Sequence, residues 1–296
     1  MAGWFDGFDA GFHPANGQHL FARTGGRRDG PPLLLLHGFP QTHAIWHRVA
    51  TQLADRFFLV MPDLRGYGAS SKPAGGGDHA DYSKRAMARD VVELMRGLGH
   101  DTFALCGHDR GGRVAHRLAL DHPDAVTRLC LLDIAPTLDM YAATDMAFAK
   151  AYYHWFHLIQ PEPLPERMIG GDPLGYLRAK LGGWGSAGAP FMEPEAVAAY
   201  EAAFVPATVH AMCEDYRAAA GIDLDHDRAS RTAGEKIRCD LHVLWGDRGV
   251  VHKLFDPMAL WRAQCAGTVT GQVVPSGHYI PEERPDDVVA VLRGFA

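Results

Sequence analysis

Short apolar runs alternate along this chain with stretches that carry apolar residues three or four positions apart. Leu33–Leu36, Phe57–Met61, Thr102–Cys106, Thr127–Leu132, Leu241–Trp245 and Thr270–Val274 are brief and bounded by Gly, Pro or polar residues. Several are apolar throughout, as strands covered on both faces must be. Leu20–Arg23 fits an antiparallel opening hairpin instead. Tyr82–Leu98 and Arg113–Asp121 have helical spacing, and Pro285–Phe295 reads as the final helix. The pattern predicts βα units around a mostly parallel sheet, an α/β fold with helices on both faces.

From about Pro136 to about Asp227 the strand-like runs stop. Asp145–Ile159, Asp172–Lys180, Glu193–Ala203 and Ala207–Ala220 read as helices, separated by Pro and Gly, and strand patterns resume only at Leu241. The expected organisation is an α/β core over residues 1–135 and 228–296, with a helical cap over 136–227. An insertion of that kind lies over the strand ends, where open α/β sheets bind ligands.

Composition narrows the picture. A chain of 296 residues, 47% hydrophobic and 22% charged, has material for one sizeable α/β domain and an inserted subdomain. Its net charge of −6 argues against nucleic acid or an anionic membrane as partner. An anionic substrate must therefore be attracted by local positive charge. Cys106, Cys130, Cys213, Cys239 and Cys265 show no disulfide-like or metal-finger spacing. Residues 1–9 lack the charged start and apolar core of a signal peptide, and no run approaches a membrane span of ~18 apolar residues. The expectation is a cytoplasmic protein. Gly25–Pro32 and Lys72–Asp78 are surface turns, not nucleotide loops.

Cys106-Gly107-His108-Asp109-Arg110-Gly111-Gly112-Arg113 has the Gly-x-nucleophile-x-Gly spacing of a strand-to-helix elbow, with aspartate where serine is usual. Serine at an elbow needs a base to take its proton; a carboxylate, with an ordinary pKa near ~3.9, is already ionised at neutral pH. Displacement at a saturated carbon suits it, leaving an ester on the enzyme. That chemistry cuts carbon–halogen or epoxide bonds. The plainer reading of Asp109 is a helix N-cap.

Pro275-Ser276-Gly277-His278-Tyr279 follows the last strand, which makes His278 the expected base for activating water against the ester. Asp133, ending the strand Thr127–Leu132, is the expected orienting acid. Asp247 in Trp245-Gly246-Asp247-Arg248-Gly249 stands in reserve, because many capped hydrolases carry the acid there and position 249 is glycine. His37-Gly38-Phe39-Pro40 fits an oxyanion loop, in which the backbone N–H groups of Phe39 and Arg110 would hold the tetrahedral oxyanion. His37 itself and Asp63-Leu64-Arg65-Gly66-Tyr67-Gly68 are read as structural.

These motifs resemble the α/β-hydrolase family with an aspartate nucleophile, and the resemblance covers nearly the whole chain. It implies an α/β-hydrolase fold, with a mostly parallel eight-stranded sheet and an inserted helical cap. The family includes haloalkane dehalogenases, epoxide hydrolases and haloacetate (fluoroacetate) dehalogenases. Arg110 and Arg113, three apart on one helical turn, can both face the spot beside Asp109, where two guanidinium forks suit a carboxylate. His154, Trp155 and Tyr216 can supply imidazole, indole and phenol donors, and resemble the halide-binding trio of fluoroacetate dehalogenases. The resulting expectation is hydrolysis of a 2-haloacetate by Asp109, His278 and Asp133, with no cofactor. Its partners would be a small anionic haloacid and water, and the family resemblance allows a homodimer. His43/His47 and His154/His157 have helical metal spacing but no third ligand, so no metal site is expected. Two alternatives stay open: an epoxide hydrolase using Tyr216 with Tyr152 or Tyr153, and a non-catalytic ligand receptor.

Overall fold

Successive leucines of β3 (Pro32–Leu36) point to opposite faces of the sheet. Leu34 and Leu36 enter one apolar cluster, while Leu33 and Leu35 enter a second. β6 (Val126–Leu132) divides the same way, with Leu129 and Leu131 on one side and Cys130 and Leu132 on the other. A strand between two helical layers needs apolar residues at every position, which explains the unbroken runs in the sequence. The computed structural model describes residues 4–186 and 191–295. Residues 1–3, where the N-terminal reading begins, lie outside them.

Eight strands form one sheet in the order β1-β2-β4-β3-β5-β6-β7-β8. The others are β1 (Phe8–Ala15), β2 (Gln18–Gly26), β4 (Phe58–Pro62), β5 (Phe103–His108), β7 (Asp240–Gly246) and β8 (Val269–Val274). β1 and β2 pair antiparallel, as does β2 with β4; all remaining pairs are parallel. The opening hairpin is longer than its apolar segment, because β1 alternates exposed and half-buried residues around glycine and proline. Helices α1 (His47–Leu53), α2 (Lys84–Gly97) and α3 (Arg110–Asp121) follow β3, β4 and β5. α3 starts three residues earlier than its spacing suggests, immediately after Asp109.

Between β6 and β7 the described residues contribute no strand to the sheet, and their regular elements are helices: α4 (Thr137–Ala142), α5 (Met146–Ala151), α6 (Tyr153–Leu158), α7 (Leu164–Gly170), α8 (Pro173–Leu181), α9 (Pro194–Ala203), α10 (Pro206–Ala220) and α11 (Ile222–Thr232). The single helix expected over Asp145–Ile159 is two, broken at Tyr152 with φ −114° and ψ 38°. α11 has few apolar residues, and its buried face includes Asp223, Asp227 and Ser230 beside Leu224. Arg117 of α3 donates to Asp227 at 2.7 Å and to the Ser230 hydroxyl at 2.9 Å. Among the described residues no single helix is long and apolar enough to cross a membrane. After β7 come α12 (Val250–Leu254) and α13 (Pro257–Gln264), and after β8 come α14 (Ile280–Glu283) and α15 (Pro285–Leu292).

The β5–α3 junction sets the site. Its flanking glycines do not have positive φ; they are needed for closeness. A Cβ on Gly107 would lie 2.6 Å from the Gly111 carbonyl oxygen, and one on Gly111 would lie 2.4 Å from that of His37. Asp109 itself takes the strained backbone, at φ 47° and ψ −112°. Gly107→Ala should therefore force strand and helix apart and destabilise the fold by about 3 kcal/mol. A urea midpoint equal to that of the wild type would contradict this reading of the junction.

Candidate active site

Adjacent parallel strands deliver two carboxylates side by side. β5 and β6 run in register to the His108–Leu132 pair, and the next residues are Asp109 and Asp133. Both leave their strands through positive φ, 47° and 49°. Asp109 is 7% exposed and makes no side-chain cap bond to its helix, so the N-cap reading does not describe it. Its Oδ1 accepts the Phe39 backbone N–H at 3.0 Å. Gly38 is needed for that approach, since a Cβ there would lie 2.5 Å from the Asp109 Cβ. His37 supports the same loop: its Nε2 accepts the Leu64 N–H at 3.0 Å.

His278 stands between the carboxylates. Its Nδ1 donates to Asp133 Oδ2 at 2.6 Å, and its Nε2 lies 3.8 Å from Asp109 Oδ2, too far for a direct bond. Asp133 Oδ1 accepts the Gly246 N–H at 3.1 Å. Asp247 takes no part, with a half-exposed carboxylate 3.7 Å from Arg248. The space where position 249 could carry an acid is already filled, because a Cβ on Gly249 would lie 3.1 Å from Asp133 Oδ1. Several bonds fix the histidine loop. His108 Nε2 donates to the His278 carbonyl at 2.8 Å, the Ser186 hydroxyl accepts the His278 N–H at 3.1 Å, and Glu283 accepts the N–H groups of Gly277 and Tyr279.

Burial would raise the Asp109 carboxyl, but the positive charges of His278, Arg113 and Arg110 outweigh burial and hold it at about 2. Burial lowers His278, yet its bond to Asp133 and the charges of Asp133 and Asp109 leave it raised. Burial pushes Asp133 up, with His278 pulling the other way. His108 is pressed down to about 3 by burial and by His278, and so stays neutral.

Both arginines are buried and both are held from behind. Arg113 Nη1 donates to the Thr137 hydroxyl at 2.8 Å and to the Ala135 carbonyl at 3.3 Å, and its Nη2 meets the Met140 sulfur at 3.4 Å. Its Nε has no hydrogen-bond partner among the described residues. Arg110 differs from the free fork its position suggests. Nε and Nη2 bind Asp215 at 2.8 and 2.7 Å, so that among the described residues Nη1 alone is left without a partner. Each guanidinium also lies on an aromatic face, Arg110 4.1 Å above Tyr216 and Arg113 4.7 Å above Trp155.

His154, Trp155 and Tyr216 come together against this charge. The His154 and Trp155 rings lie 5.6 and 6.5 Å from Tyr216, and Phe39 stacks on His154 at 5.5 Å. His154 Nδ1 and the Tyr216 hydroxyl are buried without a hydrogen-bond partner among the described residues. Burial holds the His154 imidazole well below its ordinary value and pushes the Tyr216 phenol up, so each is a neutral donor. Tyr153 is half exposed beneath the Lys180 ammonium, 3.7 Å from its ring centre, while Tyr152 stacks on Trp155.

Three residues contribute in ways that the motifs do not specify. Trp184 closes the site, 5.2 Å from the His278 ring and 4.7 Å from that of His154, at φ 55° in a loop with no periodicity. Asp215 sits beside the noted Tyr216 but reaches its partners across long chain separations. Tyr67, in the motif read as structural, donates to Asp215 at 2.7 Å.

A family model for the alpha/beta hydrolase fold matches residues 31–211. A fluoroacetate dehalogenase from Burkholderia sp is 44% identical over 292 residues, covering 98% of this chain and 94% of that protein. A soluble epoxide hydrolase from Corynebacterium sp. (strain C12) is 34% identical, with 95% of each chain covered. A solved structure from Nostoc sp PCC 7120 is 49% identical, with a TM-score of 0.94 and 97% of each chain covered. With this architecture and these relatives, the chain belongs to the α/β-hydrolase family.

Proposed function

We propose that this protein hydrolyses the carbon–halogen bond of a 2-haloacetate, converting fluoroacetate and water to glycolate and fluoride through an ester on Asp109. The observation that carries the reading is the pair of unpartnered buried guanidinium donors, Arg110 Nη1 and Arg113 Nε, beside an ionised carboxylate. A buried donor left unpaired is costly, and a substrate carboxylate satisfies both. A neutral epoxide would leave them unpaired. The fluoroacetate dehalogenase relative supports the same substrate class. The helices of residues 136–227 act as a cap over the core formed by 1–135 and 228–296.

Arg110 and Arg113 bind the substrate carboxylate and aim its α-carbon at Asp109. Oδ1 of Asp109 is already held by the Phe39 N–H, so Oδ2 attacks from behind the halogen. The new Oδ2–carbon bond forms as the carbon–halogen bond breaks with its electron pair. Halide leaves toward His154, Trp155 and Tyr216, whose donors replace lost water. His278, oriented by Asp133, then takes a proton from water as that water attacks the Asp109 Cγ. The N–H groups of Phe39 and Arg110 hold the oxyanion on Oδ1. Collapse breaks the Cγ–Oδ2 bond, and the proton on His278 passes to the departing glycolate oxygen. No cofactor enters this sequence. The free thiols suit a reducing cytoplasm, and a homodimer follows from the family resemblance.

Charge also times the base. In the free enzyme the Asp109 anion raises the His278 pKa. Esterification removes that anion, so the imidazole is released to the neutral form when water must be activated. Attack requires only ionised Asp109, whereas ester hydrolysis requires neutral His278 and speeds up as pH rises through its pKa.

Fluoride release from fluoroacetate is the direct test of function. Opening of styrene oxide with no fluoride release would favour the epoxide branch; ligand-induced stabilisation with neither activity would favour a receptor. His278→Asn should accumulate a carboxymethyl ester on Asp109, visible as intact-protein mass. Its rate of formation should stay flat between about pH 5 and pH 9. Unmodified protein after incubation with an active haloacetate would overturn the covalent scheme.

A further inference from the structure

Behind Arg110 lies a buried cluster of charge that the chemistry above does not use. Asp215, at the end opposite the substrate, receives four side-chain donors. Arg110 supplies Nε to Oδ2 and Nη2 to Oδ1, Tyr67 supplies its hydroxyl to Oδ2, and Lys84 supplies its ammonium to Oδ1. A carboxylate has about four lone-pair sites, so Asp215 is saturated and the Arg110 plane is locked. Lys84, 4% exposed, is the first residue of α2 and lies 3.6 Å from a second carboxylate, Asp223 Oδ2. That oxygen has no hydrogen-bond partner among the described residues, while Asp223 Oδ1 accepts the Lys84 backbone N–H at 2.8 Å.

The signs matter more than the bonds. Lys84, Arg110, Arg113 and His278 are positive; Asp109, Asp133, Asp215 and Asp223 are negative. A substrate carboxylate adds a further negative charge to this balanced set. Without Lys84, three cations would face four anions before any substrate arrived, and the full charge of Asp215 would fall on Arg110. We propose that Lys84 is a specificity-determining residue: without touching substrate, it neutralises Asp215 and leaves Arg110 the positive charge that selects a carboxylate. The inference rests on the haloacetate reading, since an uncharged substrate would be indifferent to it.

Variants of opposite charge effect separate this from a packing role. Lys84→Met should raise the Kd for glycolate, measured by calorimetry, and the KM for fluoroacetate together by about tenfold, as loss of one buried charge at moderate distance implies. The kcat should stay within about threefold, and Lys84→Arg should restore binding. Asp223→Asn, which keeps an acceptor for the Lys84 N–H but removes a negative charge, should lower the same Kd by about threefold. Wild-type Kd in Lys84→Met, or weaker binding in Asp223→Asn, would overturn the proposal. Should Lys84→Met not fold, the sign in Asp223→Asn decides alone. Absence of fluoride release by a wild-type protein whose glycolate binding follows this series would remove the dehalogenase reading and leave the role of Lys84 standing.

Discussion

An anion kept out of water at the end of β5 is the constraint on which the site depends. Burial opposes the charge of Asp109, so the surroundings must supply compensating positive potential. His278, from the loop after β8, and Arg113 and Arg110, from the first turn of α3, do this. The strained elbow holds the carboxylate where they converge, and the missing side chain of Gly38 lets the Phe39 N–H reach Oδ1. A carboxylate with fewer water partners is a stronger nucleophile, provided that it stays ionised. Geometry and electrostatics therefore serve the same end.

The compensating groups are themselves fixed. Thr137, Ala135 and Met140 hold Arg113, and Asp215 holds Arg110, which leaves one free donor on each. Donors aimed in advance need no reorganisation when charge moves during reaction. The aromatic wall of Phe39, His154 and Trp184 limits water around them. Trp184 also joins this wall to the histidine loop, because neighbouring Ser186 bonds both His278 and Glu283. The helices between β6 and β7 thus supply residues that touch each part of the site.

Much of this was legible in the sequence where local pattern and chemistry coincide. Apolar runs marked the strands from β3 onward, unbroken in β3 and β4 where burial on two faces leaves no polar alternation. The edge strand β8, by contrast, carries Thr270 and Gln272 and is largely exposed. The elbow showed through its glycines, and His278 through its place after the last strand. Asp133 and Asp247 could not be separated by spacing; the contact of Asp133 with both His278 and the Gly246 N–H distinguishes them. Less legible were features made by distant charge. α11 packs partly through Asp227 and Ser230 on Arg117, and so offers few apolar residues to read. The hold of Asp215 and Lys84 on Arg110 joins residues far apart in the chain, and no motif announces it.

The central claim is that Asp109 is the atom donor in the reaction, not a bystander orienting water. One turnover in heavy-oxygen water, with enzyme in excess over fluoroacetate, tests this directly. The account predicts unlabelled glycolate and one heavy oxygen in the Asp109 carboxylate, located by mass spectrometry of the peptide containing the elbow. Label in the first glycolate, with Asp109 unlabelled, would mean that water attacks the carbon itself and would contradict the account.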